Sequence, residues 1–416
     1  LDEMVRRILR SMFAQGVVEH PVAEHPPAID FAAHAAIAQT AAEEGAVLLK
    51  NDGNLLPLTA GAARTIAVIG SYADSGVLSG GGSSQVFPRG GIAVKGLGPQ
   101  KFPGPIVYLP DSPLEAMRVR TRRVRIMYHD GDDVESAAKL ARESDVVVLF
   151  AHQWSAETLD VSLTLPDAQD RLIAAVARAN PRTIVVLETG GPVLMPWLDE
   201  VGAVLEAWYP GTRGGEAIAR LLLGEVAPSG RLPVSFPRSV EDLAHPVLSA
   251  DGSGPPHPFA MAYTEGAAVG YKWYDSRQRQ PLFPFGHGLT YTRFAYTGLK
   301  AVSKEGAVTA SFDVKNVGAL DGKEVAQVYV GPAAGGWEAP KRLAAWQKVD
   351  LKPGGSARVT VSLDPRLLAT WSDTARGWGI GAGSYEIMVG ASAQDIKATA
   401  SVTLQARTLS EPPLER

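Results

Sequence analysis

The 416-residue sequence contains no cysteine, so neither a disulfide nor a thiolate-held metal can take part in its fold or its chemistry. An excess of one charge sign is missing too: 40 basic against 44 acidic residues leave a formal net charge of −4. A chain so nearly balanced has no broad basic surface, which argues against nucleic acid as a partner. No apolar run approaches the roughly 20 residues that a membrane-crossing helix needs, so no membrane partner is expected either. What remains is ordinary globular material, 45% hydrophobic and 20% charged, and at this length two or three domains are expected.

Two kinds of chemistry are absent as motifs. The eight histidines are scattered, with no pair at metal-ligand spacing such as H-E-x-x-H. The serines lack the G-x-S-x-G context of a nucleophile elbow. Neither a metal nor an organic cofactor is expected.

The chain opens on LDEMVRRILRSMF (1–13), which places Leu1, Met4, Val5, Ile8 and Met12 at helical spacing. It lacks the basic head, apolar core and small-residue cleavage site of a signal peptide, and no initiator Met precedes it. The expectation is a chain that starts inside a longer protein. Residues 14–30 read as a Pro- and His-rich linker. Asp30 then stands as the N-cap of a long Ala-rich helix, FAAHAAIAQTAAEEGAVLLKN (31–51).

Beyond residue 64 the pattern alternates. Apolar β-branched runs at 65–70, 124–128, 146–150, 183–188 and 203–208 are separated by helical stretches at 133–143, 168–178 and 215–223. Near-continuous apolar strands flanked by helices predict a mostly parallel sheet covered on both faces. After 291 the grammar changes to short alternating strands (307–314, 325–330, 357–363, 384–389) between glycine-bearing turns, which predicts a β-sandwich. The expected organisation is helix and linker (1–30), α/β sandwich (31–240), linker (241–290), β-sandwich (291–406) and tail (407–416).

Two segments are candidates for chemistry. Gly80-Gly81-Gly82-Ser83-Ser84 follows the TIAVIG strand but neither fits G-x-G-x-x-G nor ends in G-K-[ST], so a nucleotide site is not indicated. It reads either as a flexible surface loop or as the backbone wall of a small-molecule pocket, where missing side chains permit close approach. The other segment is VVVLFAHQWSAETLDVSLTLP (146–166), in which a strand runs into His152, Gln153, Trp154, Glu157 and Asp160. Ligands of open parallel sheets bind beyond the carboxyl ends of the strands. Carboxylates, amides and an indole suit a sugar, although a solvated loop would also carry such acids.

The runs AAEEGAVLLKNDGNLLPL (41–58), TIAVIG, GGGSSQV, the stretch 184–237 and PLFPFGHGLTYTRFAY (281–296) together resemble glycoside hydrolase family 3, and the resemblance covers essentially the whole chain. It implies that LDEMVRRILRSMF is the last helix of an N-terminal (β/α)₈ barrel, followed by the α/β sandwich and a fibronectin type III-like domain. It implies a retaining exo-β-glucosidase whose nucleophilic Asp lies on the barrel and whose acid/base Glu lies here. Retention needs two carboxyls about 5 Å apart. The family segment Q-W-E-S-E-G-x-D aligns with Gln153, Trp154, Glu157 and Asp160, which puts the acid/base on Glu157. Ser155, Ala156 and Thr158 depart from it, and the loss of the glycine at Thr158 puts the loop backbone in question.

Gln153, Trp154 and Ser83 are then the candidate substrate-binding residues, with Trp154 open between stacking on a sugar and packing as a core indole. The implied partners are β-linked glucosides or oligosaccharides, the barrel of the same protein, and a second copy in a homodimer. The expected compartment is the periplasm or the cell exterior. Other readings are a family 3 xylosidase or N-acetylglucosaminidase, which the Glu157/Asp160 match disfavours, and a non-catalytic carbohydrate-binding scaffold.

Overall fold

The computed structural model describes residues 1–21, 25, 28–59, 61–83, 85–121, 123–159, 161–246 and 262–409. Ser84, Asp160 and 247–261, the last within the expected linker, lie outside the described residues. The chain divides into two units, Leu1–Ile37 and Ala38–Arg416. The first holds helix α1 (Asp2–Ala14) and the start of α2 (Phe31–Gly45). In α1, Glu3 bonds Arg6 and Arg7 one turn on, at 3.1 and 2.9 Å. Asp30 caps α2 as expected, its Oδ1 accepting from the Ala33 N–H at 2.9 Å.

The helix expected over 31–51 stops at Gly45, and VLLKN makes strand β1 (Val47–Asn51). Val47, Leu48 and Leu49 are buried on alternate faces, which only an extended backbone allows here. The alanines upstream hide this change of period. The rest of the α/β half comprises β2 (Thr65–Ile69), β3 (Val77–Ser79), β4 (Val107–Leu109), α3 (Pro113–Arg120), β5 (Arg125–His129), α4 (Val134–Arg142), β6 (Val146–Gln153), α5 (Gln169–Ala179), β7 (Thr183–Thr189), β8 (Ala203–Glu206) and α6 (Gly214–Leu222). The fifth apolar run thus ends two residues early, at Glu206 for the expected 208. The 146–150 run extends three further, so His152 and Gln153 are strand residues and not loop.

Among the described residues six of these strands form one sheet in the order β1-β8-β7-β6-β2-β5, parallel except for β1, while β3 and β4 pair with each other as a separate antiparallel ribbon. Alternate residues serve two cores. Val146, Val148 and Phe150 pack with Ile184 and Val186 against α3 and α6; Val147 and Leu149 pack with Val185 and Leu187 against α4 and α5. Burial on both faces is why these strands read as unbroken apolar runs.

The short helix α7 (Tyr271–Ser276) follows, then β9 (Phe294–Lys304), β10 (Ala307–Asn316), β11 (Gly322–Pro332), β12 (Arg342–Leu351), β13 (Ser356–Leu363), α8 (Pro365–Leu368), β14 (Thr370–Ser372), β15 (Gly377–Ile380), β16 (Gly383–Gly390), β17 (Ile396–Leu404) and β18 (Arg407–Thr408). Sheets β13-β10-β9 and β12-β11-β16-β17, all antiparallel, close over a core that includes Val308, Phe312, Val328, Val359 and Ile387. This is the predicted β-sandwich.

The two layers are knitted by the PLFPFGHG segment. Its Gly286 stands where a Cβ would lie 2.1 Å from Gln327 Oε1, and that amide donates to the Gly286 carbonyl at 3.0 Å. His287 stacks on Phe283 and bonds the Leu49 carbonyl at 2.9 Å. Beside them Arg231 meets Glu324 at 3.0 Å with both side chains buried, and Glu324 also accepts from the Tyr296 hydroxyl. Removing one partner of such a pair strands a buried charge. We therefore expect Glu324→Ala to cost about 3–5 kcal/mol in urea unfolding, and Arg231→Met with Glu324→Leu together to cost much less.

Candidate active site

The carboxyl end of β6 leads directly into the candidate residues. Gln153 is buried, and its amide donates to the Ser162 and Thr164 carbonyls at 2.6 and 3.3 Å, tying down the far side of the loop. Trp154 is half-buried, and its indole N–H finds no acceptor among the described residues. Glu157 is exposed, and its Oε2 accepts from the Ser83 backbone N–H at 2.9 Å. The Ser83 side chain and N–H together hold the Glu157 carboxyl below the usual carboxylate range. Structure thus joins Glu157 to Ser83, sets Trp154 beside Gly81, and turns the Gln153 amide inward to the loop.

The glycine run is neither floppy nor empty. A Cβ on Gly80 would lie 2.9 Å from the Tyr209 ring, one on Gly81 2.6 Å from the Trp154 ring, and one on Gly82 2.5 Å from Glu157 Cβ. Gly81 bridges to Ala156, and its N–H donates to the Ser155 carbonyl at 2.9 Å. Close approach is indeed what the glycines permit, but it is approach to the 154–157 loop. Three missing methyl groups seat Glu157 against the backbone that bonds it.

Thr158 answers the question left by the sequence. It holds φ +67°, the left-handed conformation in which a glycine costs nothing and a β-branched residue is strained. On the outer side a cavity of about 380 Å³ is lined by Ser83, Gln85, Phe87, Gln100, Lys101 and Phe102, with Phe87 and Phe102 exposed. It offers apolar surface and hydrogen-bonding groups next to the carboxylate.

Sequence reasoning missed three supports. The Tyr209 hydroxyl donates to the Gln153 carbonyl at 2.7 Å and accepts from the Ser155 N–H at 2.8 Å, pinning the start of the loop. Nothing in the sequence near 209 signals this. Glu188 and Glu206, both fully buried, end apolar strands as TIVVLE and AVLE, and an acid closing such a run was a legible sign. Burial pushes Glu188 up to about 8, only partly offset by the Leu78 N–H, and pushes Glu206 well above the ordinary range.

The glycosyl hydrolase family 3 C-terminal domain model matches residues 46–291, and the fibronectin type III-like domain model matches residues 324–393. The chain belongs to glycoside hydrolase family 3. It is 35% identical over 97% of its length to thermostable beta-glucosidase B of Acetivibrio thermocellus, of which it covers 52%. It is also 35% identical, over 93% of its length, to an exo-alpha-(1->6)-L-arabinopyranosidase of Bifidobacterium breve, of which it covers 51%. Among solved structures it matches DesR, a beta-glucosidase from Streptomyces venezuelae in complex with D-glucose, with a TM-score of 0.83 at 29% identity, over 95% of this chain and 63% of that one. The chain spans about half the length of the curated relatives it matches.

Thr158→Gly should raise the stability of the α/β half by about 1 kcal/mol through release of the left-handed conformation, read from the urea midpoint. The family 3 fold also carries a pH dependence. Folding holds a proton on Glu188 that the unfolded chain releases near 4.5, so stability falls as pH rises from there to about 8 and then levels. Glu188→Gln, which keeps the neutral shape, should make that slope shallower in melting curves taken across the window, leaving the share that the buried Glu206 contributes.

Proposed function

We propose that this chain supplies the acid/base of a retaining exo-β-glucosidase, with Glu157 as that group. The observation that carries the reading is an exposed carboxyl at the carboxyl end of a central parallel strand, clasped by a glycine run that has given up its side chains to seat it. In the first half of the reaction Glu157 gives its proton to the glycosidic oxygen as the bond to the anomeric carbon breaks. In the second it takes a proton from the water that attacks the glycosyl intermediate. The cavity with Phe87 and Phe102 offers the departing sugar aromatic surface, and Gln85 and Gln100 on its lining offer amides for the hydroxyls.

The intermediate needs a second carboxyl, and on this reading it comes from an N-terminal barrel such as the family resemblance implies. The same assembly has to alter Glu157. A donor must carry a proton at working pH, whereas Ser83 holds this carboxyl ionised. Burial under a partner domain and a nearby negative nucleophile both raise an acid, and both are expected from such a barrel. Because an arabinopyranosidase is as similar as a glucosidase, arabinopyranoside is the rival sugar, and the assay panel includes it.

The test joins the chain to a family 3 barrel domain. Alone, the chain should not turn over aryl β-glucosides; with the barrel it should. In the joined enzyme Glu157→Ala should slow substrates with poor leaving groups by about 10²–10⁴-fold. A dinitrophenyl glucoside, which leaves without a proton, should still glycosylate, and azide should restore turnover and yield a β-glycosyl azide. Near-normal rates on every leaving group, with indifference to azide, would remove Glu157 from the reaction.

A further inference from the structure

The parallel strands run in the order β5-β2-β6-β7-β8, so the chain leaves β2 on one side for β5 and resumes on the other side at β6. Connections that part in this way open a crevice at the carboxyl ends of the two central strands, where ligands of such sheets bind. Here the crevice is a cavity of about 480 Å³, lined by residues other than Glu157, Trp154 and Ser83. Its size falls within the range of about 300–1,000 Å³ usual for small-molecule sites.

The lining is built at a cost the fold alone does not explain. Tyr108, 1% exposed, borders the cavity with a hydroxyl that lies near Ser71 but makes no hydrogen bond of standard geometry among the described residues. Leaving a buried polar group unpaired is expensive, and a ligand hydroxyl would satisfy it. Ser71 and His152 face each other at 2.7 Å across the β2 and β6 ends. Four non-glycine lining residues hold left-handed backbone: Ser71 at φ +45°, Tyr72 at +53°, Asp167 and Ala168 at +55° each. Strain collected around one cavity is typical of sites that grip a ligand.

We propose that this cavity binds a neutral polyhydroxylic ligand, one or two sugar residues of an oligosaccharide, through Tyr72, Tyr108 and the Ser71–His152 pair. Charge selects the class. Asp130, Asp132 and Asp167 line the cavity against a single Arg171, which repels phosphates and sugar acids while leaving acceptors for hydroxyl groups. Among the described residues no group of three or more acids and histidines is placed to hold a metal ion. The exposed Tyr72 ring, packed edge-on to Tyr108 at 4.8 Å, offers the flat face on which a sugar stacks. The assignment stands whether or not Glu157 is the acid/base.

The experiment is saturation-transfer NMR on the full chain with cellobiose as probe and glucuronate as the anionic control. Cellobiose should receive saturation, Tyr72→Ala should weaken its binding roughly three- to tenfold, as expected for one lost stacking ring, and Glu157→Gln should leave it unchanged. Tyr108→Phe should weaken binding while leaving the melting temperature of the unliganded chain equal or higher, because its hydroxyl has no hydrogen bond of standard geometry to lose. Any of four results would overturn the assignment: no transfer to cellobiose, binding untouched in Tyr72→Ala, binding lost in Glu157→Gln, or glucuronate held more tightly than cellobiose. A fall in stability in Tyr108→Phe would do the same, since the hydroxyl would then serve the fold.

Discussion

The polar features of the α/β half depend on one constraint: four parallel strands, β2, β6, β7 and β8, are buried on both faces and leave only their ends for polar groups. Val146 to Phe150 cannot tolerate a charge on either side, since alternate residues enter two different cores. The chain therefore changes character where β6 emerges, passing from six buried residues to His152, Gln153 and then the exposed Glu157 within seven positions. The strand fixes where the loop begins, Tyr209 fixes its direction, and the glycine run fixes where it comes to rest. Glu188 and Glu206 show the same rule from inside, as acids at strand ends that stayed buried and are held neutral.

Legibility in the sequence followed the same division. Runs such as VVVLF and TIVVLE are readable because double-sided burial leaves no polar interruption, and β2, β5, β6 and β7 fall within a few residues of their expected places. The Val47–Asn51 strand was missed because its three apolar residues run on from an alanine-rich helix and are too few to display a period of two, although Gly45 and the turn from alanine to Val-Leu-Leu mark the boundary. Glu157 and its neighbours were legible by position and by resemblance. What fills the space beside each glycine was not, since a missing Cβ says that something comes close without saying what. The cavity between the β2 and β6 ends was equally hidden: Ser71, Tyr108 and His152 lie far apart in sequence and meet only through strand order.

The chain fixes the geometry of a carboxyl more completely than its protonation. Hydrogen bonds from Ser83 place the Glu157 carboxylate and favour its charge in the same act, because a group that bonds an anion also stabilises it. Position can be secured within this half of the fold, but the proton affinity of a general acid depends on what covers it.

Three adjacent glycines on a surface are ordinarily where a protease cuts, because an open loop can unfold locally to enter the enzyme's cleft. Here the loop's backbone lies against Tyr209, Trp154 and Glu157, and is braced from behind by Gln85, which donates to the Gly80 and Pro105 carbonyls at 3.2 Å each. To be cleaved it would first have to lift away from the very side chain it positions. Resistance to nicking at 80–82 is thus tied to the integrity of the carboxylate clasp, and a digestion pattern reports on the seating of Glu157 without any substrate present.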